Sequence, residues 1–458
     1  MTVLLIQPSF FSTKAEELAM KTIHHPSIGL SRIEAVLKLN NINCKIIDLN
    51  IEPWSKVNEY ISINQPQIIG ITGYTFIASK MGKIAKDIRH LFPNIVLVGG
   101  GVHATYYYKE LLAHNTFDFI IRFEGEQAFY KLCEEIIRNT NSFRSVPNLA
   151  FKNGPEIITT KVSPPITDLD SLPIPTFDLS HYPNKIVPIE TSRGCPYKCI
   201  YCSSSAYWGT QIRYRSIQNI QIEIEHHKNK GFHTFNLIDD QLNANSNRFH
   251  ELLAIFKDER IQWVGACVIN NLTPESIDKI KESGCQGLNI GIESADPLVQ
   301  KKAGKLIDLE HAYKMIKYAQ EVGIKTVCGF ILFHYCDTKE SIQTTIDFSK
   351  KIQATGARVR FTYNTPFRGT YQYDHLHELA LLIQSNNLDE FDLSNPVINT
   401  AHFNMTEMRS ILDVSKQNIS SVDFSKIQKI LEEQNIQGIN DPRLNIEFIQ
   451  KLINEHLN

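Results

Sequence analysis

Three cysteines close together open the reading. In Glu190-Thr-Ser-Arg-Gly-Cys-Pro-Tyr-Lys-Cys-Ile-Tyr-Cys-Ser203, Cys195, Cys199 and Cys202 stand at C-x3-C-x2-C spacing. The apolar run 186–189 just before them reads as a strand, so they sit on a loop leaving its end. Three thiolates on one short loop can surround one soft metal centre, and iron–sulfur clusters are held by cysteine thiolates. A structural zinc takes four protein ligands, and no fourth Cys or His lies at the usual short spacing. Three cysteines packed in a core are the plain alternative, since free Cys is among the most buried residue types. Gly194, Pro196 and Lys198 argue for a loop instead.

Further chemistry-bearing residues follow apolar runs. Asp239-Asp240 ends one such run, where the pair would serve equally as caps for the next helix. Glu293 ends another in Gly291-Ile-Glu-Ser294, with an exposed ion pair as its alternative. Arg213 and Arg215 read as structural ion-pair partners. Cys336, in His334-Tyr-Cys-Asp-Thr338, offers a thiol able to donate a hydrogen atom; an inert packed cysteine is the other reading. Cys328 suits that role less, because its side chain is expected to face the core. Earlier in the chain, Thr72, Tyr74, Thr75 and Phe76 follow one apolar run, and Gly99, Gly100 and Gly101 follow the next. Glycines let backbone approach a ligand without a Cβ clash, though a tight turn would use them too. His103 reads as a hydrogen-bonded loop histidine. Glu124, Gly125 and Glu126 complete this group.

The elements that position these residues follow a strand–helix rhythm. Apolar runs at 3–6, 44–49, 68–72, 95–98 and 117–122 alternate with predicted helices at 31–39, 55–63, 78–91, 106–114 and 127–139. In the third helix Met81, Ile84, Ala85, Ile88 and Leu91 form one apolar stripe. Such a series predicts a doubly wound parallel sheet that binds ligands beyond its strands' carboxyl ends. Residues 141–185, with Pro164-Pro165 and Leu172-Pro-Ile-Pro175, read as an extended connector with a small hairpin at 148–160. The rhythm resumes with strands at 186–191, 234–238, 262–268, 287–292, 326–333 and 358–363, fewer than a closed eight-stranded barrel has. Helices are predicted between them, and at 375–384, 405–416, 427–434 and 446–453 in a mainly helical C-terminal region, 371–458.

The cysteine loop, with Tyr201 before its last cysteine, resembles the signature of the radical S-adenosylmethionine (radical SAM) superfamily. The resemblance covers residues 186 to about 370 and implies a partial (β/α)6 barrel. It implies that Cys195, Cys199 and Cys202 hold three irons of a [4Fe-4S] cluster whose fourth iron chelates SAM. It further implies SAM contacts from Tyr201, Asp239, Asp240 and Glu293, and an external electron donor such as flavodoxin or ferredoxin. The loop 334–338 departs from the Gly-x-Pro-Gly-Glu-Thr pattern of many relatives.

Residues 26–30, the Gly-Gly-Gly-x-His-Ala-Thr segment and Glu124-Gly-Glu126 together resemble the cobalamin-binding-type domain that precedes many radical SAM cores; this domain is placed at 1–140. The resemblance implies cobalamin near Thr72, Tyr74, Thr75, Phe76, the glycines 99–101, His103, Glu124 and Gly125, with its corrin facing the cluster. The D-x-H-x-x-G motif is absent, which argues against a histidine on cobalt. The whole implies a cobalamin-dependent methyltransferase acting on an unactivated carbon of a small molecule or peptide. The alternatives are an epimerase, cyclase or rearrangement enzyme without cobalamin, using Cys336 as hydrogen donor, and a non-catalytic metal-binding scaffold.

Composition agrees with such an enzyme. The chain has 458 residues, enough for two or three domains, and a formal net charge of −2, which gives no electrostatic case for nucleic acid. Nine cysteines, most scattered singly, do not form a disulfide framework. No apolar run is long enough to span a bilayer, and the N-terminus lacks a basic, cleavable leader pattern. A cytoplasmic location is expected.

Overall fold

The computed structural model describes residues 1–10, 24–140 and 142–417. They divide into two compact units, one formed by Met1–Phe10 with His25–Tyr182 and the other running from Pro183.

The first unit is built on strands β1 (Thr2–Gln7), β2 (Asn43–Asp48), β3 (Ile68–Thr72), β4 (Val96–Gly100), β5 (Phe119–Ile121), β6 (Leu149–Asn153) and β7 (Glu156–Thr159). Their order is β2-β1-β3-β4-β5-β6-β7. The first five are parallel, while β6 and β7 form an antiparallel hairpin on the edge. Val3, Leu4, Leu5 and Ile6 are all fully buried, as a strand covered on both faces must be. Helices Ile28–Leu39 and Glu126–Arg138 cover one face, Trp54–Asn64 and Ala78–Leu91 the other. From β1 the chain steps one way to β2 and the other way to β3, which makes the β1/β3 boundary the switch point.

Two expectations change here. The single helix at 106–114 is instead a pair, Gly101–Tyr106 and Tyr108–Ala113, because helical geometry starts at the last of the three glycines and breaks at Tyr107. The hairpin within the connector joins the first sheet, and the proline-rich chain stays with this unit as far as Tyr182, whose hydroxyl donates to Asp48 Oδ2 at 2.9 Å.

The second unit carries six parallel strands: β8 (Val187–Ile189), β11 (Thr234–Leu237), β12 (Gln262–Ala266), β13 (Cys285–Glu293), β14 (Lys325–Leu332) and β15 (Arg358–Tyr363). Between β8 and β11 lie the short strands β9 (Ser192–Arg193) and β10 (Arg213–Tyr214), an antiparallel pair. The six run β15-β14-β13-β12-β11-β8, an open sheet and hence a partial barrel. Helices Ile217–Lys228, Ser246–Asp258, Pro274–Glu282, Leu309–Glu321 and Lys339–Gln353 make the crossovers.

The helix expected at 375–384 does not form. A short helix, Tyr371–Asp374, gives way to β16 (Leu382–Ile383), which pairs with β17 (Ile398–Asn399). Ala380 at φ +49° breaks helical geometry, and Leu376, Leu379 and Leu381 pack with Phe391, Val397 and Ile398. The helix at 405–416 is present as Met405–Gln417, while 427–434 and 446–453 lie outside the described residues. Among the described residues no helix is long and apolar enough to cross a membrane.

Candidate active site

The cysteine loop leaves β8 through β9 and ends at helix Ser203–Trp208. Cys195 is buried, Cys199 and Cys202 are half-buried, and all three are free thiols. Backbone bonds fix the loop from several sides. Cys202 N donates to Cys199 O at 3.1 Å, Ile200 N to Ala303 O at 3.1 Å, and Gln372 N to Ile200 O at 3.0 Å. Gly304 follows helix Pro297–Ala303 at φ +75°, and a Cβ there would lie 2.9 Å from Lys198 O. A larger residue would push that helix end off the loop.

The donor set suits a cluster. Burial pushes the Cys195 thiol up to about 11, and Cys202 and Cys199 add their fields. Burial also raises Cys199, while Lys305 pulls it down. Thiols so placed stay neutral until a metal centre takes up their thiolate charge. Among the described residues no three His, Cys, Asp or Glu side chains converge as a single ion would require. A cluster asks less, because each of its irons takes one cysteine.

Around the loop, the predicted carboxylates divide. Asp239 is buried and accepts from Thr191 N (2.9 Å), Thr191 Oγ1 (2.7 Å) and Ser192 Oγ (2.5 Å). It therefore ties the end of β11 to the start of the cysteine loop. Burial raises its pKa against those bonds. Asp240 hydrogen-bonds Ser204 and lies within the field of Cys195, its own pKa raised by burial. Neither caps the next helix, whose cap is Asn245. Glu293, at φ +68°, pairs with Lys305 Nζ at 2.8 Å. Burial works to lower the Lys305 pKa, but Glu293, Cys199 and Cys202 together hold it raised. Arg215 and Glu223 form a buried ion pair at 2.5 Å, in line with the structural reading.

Tyr201 packs against His334 with ring centroids 5.2 Å apart. His334 is fully buried, and burial drops its pKa to about 4, with Lys305 adding to the effect. Cys336 is half-buried, its pKa raised to about 11 by burial and then by Asp337; its other charged neighbours are Lys302 and Asp296 rather than the loop cysteines. Cys328 is fully buried in β14. Sequence reasoning missed Lys305, Asn364 and Gln372. A basic residue two positions past helix Pro297–Ala303 and a polar residue directly after β15 were the available signals.

In the first unit Thr72, Tyr74, Thr75 and Phe76, at and just past the end of β3, stand at the switch point, while the other predicted residues are spread over the ends of β4 and β5. Tyr74 and Phe76 are stacked with centroids 5.7 Å apart, and Phe10, just past β1, tilts against both. Phe10 was not foreseen. Tyr74 is 45% exposed, so the platform offers aromatic surface to a ligand. Thr75 lies buried between them in chain order, in a short 3-10 turn. Gly101 has φ +88°, and a Cβ there would stand 2.6 Å from Thr72 Oγ1 and 3.0 Å from Gly73 O. Gly99 and Gly100 close β4 beside this turn, and Gly73 N donates to Gly100 O at 3.1 Å. A close-set backbone beside an aromatic platform fits a large flat cofactor such as a corrin. His103 is buried and stacked on Tyr107 at 4.5 Å, within a helix rather than aimed outward. Glu124 accepts from Ile166 N at 2.7 Å and so holds the proline-rich segment; Gly125 caps the following helix.

Comparison with known proteins agrees with this anatomy. The family model "Radical SAM superfamily" matches residues 189–349, and "B12 binding domain" matches 20–133. An uncharacterized methyltransferase of Pyrococcus horikoshii, PH0819, is 29% identical over 404 residues, covering 84% of this chain and 86% of that protein. The hopanoid C-3 methylase of Methylococcus capsulatus is 24% identical, covering 81% and 72%. Among solved structures, the fold is shared with the radical SAM methyltransferase TsrM from Kitasatospora setae, with cobalamin and a [4Fe-4S] cluster bound (TM-score 0.71, 16% identity, 89% and 87% covered). It is also shared with the cobalamin-dependent radical enzyme OxsB (TM-score 0.75, 15% identity, 99% and 71% covered). A cysteine loop with donors for a cluster and an aromatic platform beside a close-set backbone thus occur on one chain, which carries the radical SAM superfamily match and the B12 binding domain match together.

Proposed function

We propose that this protein is a cobalamin-dependent radical SAM methyltransferase that places a methyl group on an unactivated carbon. The observation that carries this reading is the aromatic and glycine platform at the switch point of a unit that accompanies a cysteine loop. Relatives named as methyltransferases and a methylase support it.

Cys195, Cys199 and Cys202 would hold the cluster, which supplies the electron that cleaves SAM to methionine and the 5′-deoxyadenosyl radical. That radical removes a hydrogen atom from the acceptor carbon and leaves as 5′-deoxyadenosine. A second SAM would give up its methyl group, which passes by way of the cobalamin to the acceptor carbon, and leave as S-adenosylhomocysteine; an external reductant such as flavodoxin or ferredoxin would supply the two electrons each turnover consumes. The protein's own groups position these partners. Asp239 fixes the loop against β11, and Asp240 and Glu293 stand beside it to meet the SAM amino group. Lys305, its charge balanced by Glu293, faces the negative thiolates. Tyr74, Phe76 and Gly101 would receive the corrin. The acceptor is a small molecule or peptide, and the reducing cytoplasm suits a chain whose cysteines are all free.

The thiol-donor alternative rests on Cys336, a half-buried thiol whose pKa burial raises to about 11. Hydroxocobalamin titration followed by its visible spectrum tests the reading: binding with micromolar affinity is expected, and no binding at tens of micromolar protein would favour cobalamin-independent chemistry.

A further inference from the structure

Three buried polar side chains in the second unit have no hydrogen-bond partner among the described residues, and one of them, His334, packs on Tyr201. His334, Asn364 and Gln372 are 0%, 1% and 0% exposed. Both ring nitrogens of His334, and both amide atoms of Asn364 and of Gln372, lack a hydrogen bond. Among the described residues an interchange of amide N and O restores bonds for Gln320, but for neither Asn364 nor Gln372. Buried polar groups are paired in the great majority of cases, so three in one neighbourhood call for an explanation.

Three separate links join the segments that carry them. The His334 ring packs on Tyr201 at 5.2 Å. Gln372 N donates to Ile200 O, the residue before Tyr201, at 3.0 Å. Asn364 N donates to Leu332 O at 2.9 Å, which sets it across from the residues leading into His334. His334 and Asn364 thus follow the carboxyl ends of β14 and β15, where barrel enzymes keep their reactive groups, and Gln372 lies in the helix Tyr371–Asp374.

We infer that His334, Asn364 and Gln372 form a subsite for the methyl acceptor, and that it takes an uncharged group carrying both hydrogen-bond donors and acceptors, such as a carboxamide or peptide amide. The inference rests on the methyl-transfer reading. Two amides and a neutral imidazole bring donors and acceptors but no charge. Lys305, a half-buried cation nearby, is already paired with Glu293, so an anion would enter without a counter-charge. The adenine edge of SAM has the same donor–acceptor chemistry. Position favours the acceptor: Asn364 and Gln372 lie beyond the superfamily match at 189–349, and His334 lies in the loop that departs from the common pattern. A cofactor shared by a superfamily is met by shared residues, and an acceptor that differs between members by the others.

The test uses Asn364→Leu and Gln372→Met, made separately in anaerobically reconstituted holoenzyme. Removing an unpaired buried polar group should raise Tm of the acceptor-free enzyme by about 2–4 °C. A fall in Tm, or failure to fold, would mean the groups are satisfied within the protein and would overturn the subsite. SAM affinity should stay within about threefold of wild type, whereas a loss of tenfold or more would assign the group to adenine and overturn the acceptor. With trideuteromethyl-SAM and extract of the source cells, label reaching an amide-bearing product should fall at least tenfold in both variants. Full labelling by either variant would also overturn the subsite. Absence of labelled product in wild type would count against methyl transfer itself, while Tm and SAM affinity would still decide the subsite.

Discussion

The cysteine loop and the switch-point platform both present ligand-binding groups at the ends of parallel strands, yet they are built differently. The loop draws its three cysteines from one short stretch, and the surrounding fold only holds it in place. The platform draws Phe10 from the end of β1, Tyr74 and Phe76 from the end of β3, and Gly101 from the end of β4. One site is written in local spacing, the other in topology. Disrupting each should therefore produce different kinds of loss.

The largest effect is expected from replacing Cys195, Cys199 and Cys202 together by Ala. Iron content and 5′-deoxyadenosine formation should fall below detection, while cobalamin binding by the first unit persists. Loss of both would show that the two sites are not independent.

Next comes Lys305→Met, which leaves Glu293 half-buried without its partner. Such uncompensated charge costs up to about 3 kcal/mol, and Tm should fall accordingly. The paired change Lys305→Met with Glu293→Gln should recover most of it. If the double variant is no better than the single one, the ion pair is not what Lys305 provides.

Tyr74→Ala should weaken hydroxocobalamin binding about tenfold, a loss of about 1.4 kcal/mol, with little change in Tm because the ring is half-exposed. Unchanged affinity would move the corrin away from the platform. The smallest effect is expected from Cys336→Ala: label transfer to product within about twofold of wild type. A large loss there would revive the thiol as a hydrogen donor.

How much the sequence revealed follows the same division. The loop that carries Cys195, Cys199 and Cys202 could be read directly, because Gly194, Pro196 and the cysteine spacing are local features. Strand β3 and helix Ala78–Leu91 were also legible, since their apolar periodicity is local. Phe10 was not, because its place beside Tyr74 depends on strand order, which spacing does not encode. Lys305 was missed for the same reason: it meets Glu293 only when the helix after β13 folds back. The helix expected at 375–384 failed because its leucines fit a small sheet-edge cluster as well as a helix stripe. Asp239 carries a part that spacing did not show: its bonds to Thr191 and Ser192 fix the loop.

The most direct test of cobalamin-dependent methyl transfer follows both fates of SAM in one anaerobic reaction. Reconstituted enzyme, a reductant and SAM are incubated with and without hydroxocobalamin, and S-adenosylhomocysteine and 5′-deoxyadenosine are measured together. The account predicts S-adenosylhomocysteine only when cobalamin is present, in an amount matching the cobalamin bound, and 5′-deoxyadenosine only when the three cysteines are intact. Formation of 5′-deoxyadenosine with no S-adenosylhomocysteine under either condition would contradict it.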